Sequence, residues 1–165
     1  CDRLHPDYYV HDMMSDLLGN GNSSRFIRNL VQKKQLFSQI DAYIAGSIEP
    51  GTFHINGRPS PGVSLEEAEA AIWKELEAMK TEAILEEELE KVKNRYESEQ
   101  IFGNINYLNV ATNLAFFELI GKAEDINDEV KKYRAVTSQD IQRVASETFV
   151  KENCSVLYYK SQVSS

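Results

Sequence analysis

Residues 36–57, LFSQIDAYIAGSIEPGTFHING, decide the fold class of this chain. Apolar or small residues alternate with polar ones through residues 36–48, and this period of two is typical of a half-buried strand. Pro and Gly in residues 49–51 favour a turn, and a second alternating strand follows over residues 52–57. The simplest pairing of the two strands is a long antiparallel hairpin.

Helical patterns flank this hairpin on both sides. Before it, apolar residues spaced three and four apart predict helices over residues 7–18 and about 24–34, the second capped by Ser23 or Ser24. After it, five more helices are predicted at about residues 65–80, 85–102, 105–121, 126–134 and 138–149. Capping sequences begin the first of these at Ser64 and the last at Thr137, and Asn104 is the predicted cap of the helix over residues 105–121.

The last predicted element is a strand over residues 153–160, which is apolar on both faces. The helix over residues 105–121 is apolar nearly all round, so we expect it to be the most buried helix. A buried, inert thiol is the default expectation for Cys154. The sum is an α+β domain over residues 1–160, an antiparallel sheet with helices packed on one face, followed by a polar tail at 161–165. Three strands make a thin sheet for so much helix, and strands upstream of residue 1 would explain it.

Composition excludes some partners. The chain has 165 residues and a formal charge of −8, which fits one domain or a piece of a larger protein. A sequence pI of about 4.9 argues against nucleic acid and against acidic lipid surfaces. No stretch of about 18 apolar residues predicts a membrane span. Residues 64–100 hold twelve Glu against five Lys and Arg, which favours a solvated helix face over an acidic docking surface.

The sequence offers no constellation typical of catalysis. His5, His11 and His54 lack the spacing of a zinc-binding helix, and the two cysteines lie at opposite ends of the chain. No nucleophile elbow is present, and the Gly-rich loop at residues 19–23 lacks the Lys of a phosphate-binding loop. We therefore predict no catalytic residue, no metal ligand and no cofactor within this chain.

Six segments, taken in order, resemble those of one known family. They are residues 5–9 (HPDYY), 17–26 (LLGNGNSSRF), 30–38 (LVQKKQLFS), 51–53 (GTF), 85–93 (LEEELEKVK) and 136–145 (VTSQDIQRVA). The ordered set resembles the C-terminal domain of M16-type zinc peptidases, the family of pitrilysin, insulin-degrading enzyme and mitochondrial processing peptidase. The resemblance implies an α/β roll that lacks its first strands, with residues 36–58 and 153–160 in one sheet.

The resemblance also implies where the chemistry lies. In this family an HxxEH helix of the preceding domain holds zinc, and its Glu acts as the general base. The C-terminal half can add an Arg and a Tyr that bind substrate, but those positions are Val31 and Ser38 here, so we expect no substrate-binding residue. The residues that match the family motifs are expected to be structural: Gly19, Gly21, Ser23, Ser24, Arg25 and Gly51.

The function implied is that of a non-catalytic C-terminal segment of an M16-like zinc metallopeptidase. Such a segment would form a wall of the substrate chamber and pack against a zinc-bearing domain or partner subunit, with peptide as the substrate of the assembled enzyme. An alternative is a structural or docking subunit of the same fold with no peptidase activity. A free-standing domain that binds a small molecule is a third, weaker interpretation.

Overall fold

A computed structural model describes residues 1–46 and 48–160 of the chain. The helices are α1 (Tyr8–Gly19), a π-helix (Ile27–Lys33), α2 (Leu65–Thr81), α3 (Glu86–Gly103), α4 (Tyr107–Ile120), α5 (Glu129–Ala135), α6 (Ser138–Thr148) and two 3₁₀ helices (Ala123–Asp128 and Lys151–Asn153). The strands are β1 (Phe37–Ile44) and β2 (Phe53–Pro59). No helix in these two ranges has both the length and the apolar character that crossing a bilayer demands.

The two strands form the predicted antiparallel hairpin. Phe37 pairs with Pro59 at one end and Ile44 with Phe53 at the other, with an irregularity in register after Phe37. One face of the hairpin packs on α1, where the two backbones touch. A Cβ added to Gly19 would lie 2.1 Å from the backbone N of Ala42. Only glycine can end α1 this close to β1.

The core lies between α1, the hairpin and the helices that surround them. Its fully buried large side chains come from α1, the π-helix and the residue before it, β1, α2, α3 and α6. They are Met13, Met14, Leu17, Leu18, Phe26, Leu30, Ile40, Met79, Leu89, Ile141 and Val144. Apolar burial on this scale is the main stabilising contribution to such a fold.

Two of the four predicted helix caps differ from the structure. Neither Ser23 nor Ser24 caps the second helix through its side chain, because the Ser23 hydroxyl accepts from Lys91 and the Ser24 hydroxyl has no hydrogen-bond partner. Asn104 is also wrong as a cap: it still belongs to the end of α3, where its N–H bonds to the carbonyl of Gln100. Asn106 caps α4 instead, since its side chain accepts a hydrogen bond of 2.9 Å from the N–H of Leu108.

Ser64 and Thr137 both cap their helices as predicted, although only Thr137 forms the full reciprocal capping box that was also expected at Ser64. The Ser64 side chain accepts from the N–H of Glu67 at 3.1 Å and begins α2. Thr137 and Asp140 satisfy each other's backbone N–H groups at the start of α6. Such caps fix where a helix begins because they pair donors that the helix itself leaves free.

The predicted last strand is wrong. Residues 154–160 have no regular structure, although the backbone at Cys154 is extended, with φ −117° and ψ 138°. A strand needs neighbouring backbone to complete its hydrogen bonds, and the sheet formed by the described residues contains β1 and β2 only. Leu157 and Tyr159 are each 91% exposed for the same reason. Cys154, expected to be buried, is exposed with them.

The prediction for α4 is also wrong. Rather than being the most buried helix, it buries Phe117 alone among its residues. Its contacts with other elements are chiefly to the 3₁₀ helix that follows it. A helix that is apolar all round needs cover on more than one side. The described part of the chain covers one side.

Candidate functional site

The hairpin presents an open outer face on the side away from α1. Because side chains alternate along a strand, the buried positions Ile40 and Ala42 leave their neighbours pointing outward. We define the outer face as Gln39, Asp41 and Tyr43 on β1 with Arg58, Asn56 and His54 opposite them on β2. This is the ordinary division of a one-sided antiparallel sheet, with an apolar inner face and a polar outer one.

Hydrogen bonds and ring stacking order this face. Asn56 Nδ2 donates to Asp41 Oδ1 at 3.1 Å. The rings of Tyr43 and His54 stack with centroids 4.9 Å apart and planes 11° from parallel. His54 Nε2 also lies 2.6 Å from Thr52 Oγ1. The arrangement can donate and accept hydrogen bonds and stack on flat groups, which are binding interactions.

Val31 and Ser38, the positions that the resemblance assigns to an Arg and a Tyr, lie in the π-helix that contacts β1 and in β1 itself. Val31 is a half-buried residue of the π-helix and packs against the core. Ser38 is exposed at the register irregularity of β1, and its Oγ donates to the carbonyl of Arg58 at 3.1 Å. Both side chains therefore contact other residues of this chain.

The loop between α1 and the π-helix is tied to α3. Arg25 is 6% exposed, and its Nε and Nη2 atoms donate to the two carboxylate oxygens of Glu88, each at 2.9 Å. Ser23 Oγ accepts from Lys91 Nζ. Gly21 has φ +88°, in the left-handed region that favours glycine. These contacts hold the loop against α3, and the structural role expected of the motif residues stays a prediction.

The remaining two motif residues have different surroundings. The Ser24 hydroxyl is buried without a hydrogen-bond partner, and the Ser24 carbonyl accepts from Arg28 at 2.9 Å. Gly51 lies in the hairpin turn, where an added Cβ would be 2.1 Å from the carbonyl oxygen of Ala45. The Gly51 N–H donates to the carbonyl of Cys1 at 3.1 Å. Because Gly51 has no side chain, the turn can close against Ala45, and the backbone of Gly51 can contact Cys1.

His5 and His11 both contact Asp7, whereas His54 lies on β2. His11 lies between α1 and α6, with Nδ1 2.8 Å from the Asp7 carbonyl and Nε2 3.0 Å from Thr148 Oγ1. Burial lowers the pKa of His11, and the hydrogen bond to Asp7 only partly offsets this. Across residues 1–46 and 48–160, no three His, Cys, Asp or Glu side chains lie together as a metal site would require. The described residues therefore do not fit a zinc site.

A buried polar cluster between α1 and α5 was not predicted from the sequence. Tyr9 Oη donates to Glu129 Oε1 at 2.6 Å, and Arg3 forms an ion pair with the same carboxylate. Tyr133 Oη donates to Asp12 Oδ2 at 2.5 Å, and burial together with this carboxylate raises the pKa of Tyr133. The residues of the cluster are up to 126 positions apart, so no local sequence pattern predicts that they meet. Because each is paired inside the cluster, its evident effect is to join the two helices.

A large cavity lies beneath the inner face of β2. It has a volume of about 720 Å³ and is bounded by β2, α2 and residues 147–159. Much of its lining is apolar, including Phe53, Ile55, Ile72 and Trp73. The unpaired segment 154–159 forms one rim. The cavity is thus the part of the core that neither α2 nor the last segment fills.

Comparison with known proteins identifies the family. The sequence model of a family described as "Peptidase M16 inactive domain" matches residues 1–96. The chain belongs to this family. It is also 27% identical over 156 residues to the zinc protease PqqE of Helicobacter pylori, a match that covers 94% of this chain and 35% of that protein. The chain therefore spans about a third of the length of this curated M16 relative.

Solved structures share the fold of this M16 chain. A protease from Helicobacter pylori has a TM-score of 0.85 at 26% identity, covering 92% of this chain and 37% of that one. The inactive peptidase domain of a candidate zinc protease from Bordetella parapertussis has a TM-score of 0.82 at 20% identity, covering 93% of this chain and 83% of that one. These structures confirm the predicted α+β fold of the M16 C-terminal domain.

Proposed function

We propose that this chain is the non-catalytic C-terminal segment of an M16 zinc metallopeptidase and forms one wall of its substrate chamber. The observation that carries the proposal is the family itself: the chain is an M16 inactive domain, and 94% of it aligns with a zinc protease. Zinc and the general base would then be supplied by a preceding domain or a partner subunit. In that arrangement this chain shapes and lines the space around a bound peptide.

The outer face of the hairpin is the surface we assign to that wall. Its inner counterpart packs on α1, so the outer face is free to meet another molecule. An extended peptide presents backbone N–H and C=O groups that need partners once water is displaced. Asp41, Asn56 and Arg58 offer such partners, and the stacked Tyr43 and His54 offer a flat surface for apolar or aromatic side chains.

Val31 and Ser38 bear on whether this chain contributes to substrate binding or to the chemical step. At the positions where the family can carry an Arg and a Tyr, these side chains offer neither a guanidinium nor a phenol. The chain would therefore hold substrate through the outer face and leave activation of water to the zinc domain. The segment then contributes to substrate affinity more than to the chemical step.

The test uses the full-length protein that contains this chain. We expect it to cleave flexible peptides, to lose that activity with a zinc chelator and to regain it with added zinc. Tyr43→Ala is expected to raise KM for peptide about tenfold with unchanged zinc content, since it removes the stacked surface. Lys131→Ala, an exposed position on α5, is the matched control and should leave KM unchanged.

Two results would contradict the proposal. One is peptidase activity in the 165-residue chain alone, because this would place the chemistry within it. The other is a full-length protein that holds a stable partner and cleaves no peptide under any zinc condition. That second result would instead support the alternative, a structural or docking subunit of the same fold.

A further inference from the structure

Five large apolar side chains are exposed at the point where α3 turns into α4. We define the apolar tip as Ile101, Phe102, Ile105, Tyr107 and Leu108. Their exposed fractions run from 62% at Ile101 to 89% at Tyr107. All five fall within residues 101–108. Single exposed apolar residues are normal on a protein surface, whereas a cluster this dense marks an interaction site.

The apolar tip stands clear of the rest of the chain. A Cβ added to Gly103, the last residue of α3, would meet nothing within 4 Å. The helix that follows it, α4, has 14 residues and only one charged side chain, Glu118. Covering one Leu or Phe side chain stabilises a protein by about 1.5–3 kcal/mol, so leaving several in water is costly. We therefore expect another protein surface to cover the tip.

The net charge argues against a second copy of this chain as the cover. Glu97 and Glu99, next to the tip on α3, are already paired with Arg134 and Arg95, but each copy carries a formal charge of −8. Two copies would therefore repel each other as they approach. A partner with basic residues around an apolar centre would be complementary instead.

The length of the relatives points to where that partner lies. The chain covers 35% of the zinc protease PqqE and 37% of the solved Helicobacter pylori protease, so most of each relative is other sequence. We propose that the apolar tip docks onto an apolar surface rimmed by Lys and Arg in another part of the same protease. This inference rests on the proposed function, since it takes the chain to be one part of a longer enzyme.

Cysteine labelling in the full-length protein tests the docking directly. Leu108→Cys places a thiol on the tip, and Lys131→Cys places one on an exposed part of α5 as the matched control. The rate of maleimide labelling is read at each introduced thiol by peptide mass spectrometry, in native buffer and in urea. We expect Leu108→Cys to label at least about tenfold more slowly than Lys131→Cys in native buffer, and equally fast in urea.

The other outcomes overturn the docking proposal. Equal native rates at the two positions would mean that the tip is open to solvent in the full-length protein. Slow labelling that disappears when the protein is diluted from dimer to monomer would assign the cover to a second copy. Ile105→Cys is the substitute if Leu108→Cys fails to fold. The readout needs no peptidase activity, so an inactive full-length protein would contradict the proposed function without changing the labelling ratio.

Discussion

Arg25 and Glu88 form a bidentate ion pair that joins the segment just before the π-helix to the first turn of α3. Both hydrogen bonds are 2.9 Å long, and the side chains are 7% and 15% exposed. The planar guanidinium matches the carboxylate in this geometry, which fixes direction as well as distance. The pair connects residues 63 positions apart and so holds α3 against the Gly-rich loop that follows α1.

Removing the carboxylate of this pair should destabilise the fold strongly. Glu88→Ala leaves the buried Arg25 charge without its partner, and we expect the free energy of unfolding to fall by about 3 kcal/mol. Urea denaturation measures the change. Glu87→Ala is the matched control, because Glu87 is exposed in the same turn of α3 and should cost less than about 1 kcal/mol. Similar losses for the two variants would contradict a special role for the pair.

An added methyl group should be tolerated at Gly103 but should destabilise the fold at Gly19. Gly19→Ala would drive a Cβ into the backbone of β1, so we expect a loss of about 3 kcal/mol or more. Gly103→Ala adds the same methyl where nothing lies within 4 Å, at the end of α3, and should stabilise by up to about 1 kcal/mol. Thermal unfolding compares the two. Equal effects would show that α1 and β1 can move apart.

His11 should make stability depend on pH below its ordinary pKa of 6.5. Burial lowers the pKa of His11 in the folded protein, so the unfolded chain takes up the proton first as the pH falls. This contribution to the free energy of unfolding is complete above pH 6.5 and declines as the pH drops from 6.5 towards the folded pKa. His11→Asn should flatten the pH profile in that window. Parallel profiles for the two proteins would contradict this assignment.

The hairpin was predictable because both of its signals are local. Alternation through residues 36–48 and the Pro-Gly turn specify the pairing without reference to distant residues. The capping sequences at Ser64 and Thr137 are equally local, and the structure confirms both. The motif residues from Gly19 to Arg25 were recognisable in sequence, but the contact of Arg25 with Glu88 was not.

The two wrong elements fail for one physical reason. Residues 153–160 and α4 both have the composition of buried structure. Such a pattern indicates that a segment requires buried contacts, but it does not show whether a neighbouring element supplies them. Neither finds its neighbour among the described residues, so the first stays unpaired and the second stays exposed. The cluster of Arg3, Tyr9 and Glu129 was missed for the opposite reason, since its partners meet only through the tertiary fold.

Zinc content measured side by side in the full-length protein and in the folded 165-residue chain tests the central claim most directly. Both are equilibrated with zinc at neutral pH, passed over a desalting column and analysed for metal, with circular dichroism confirming that the chain is helical. We predict stoichiometric zinc in the full-length protein and none retained by the chain. One tightly held zinc ion per 165-residue chain would contradict the assignment of the chemistry to another part of the enzyme.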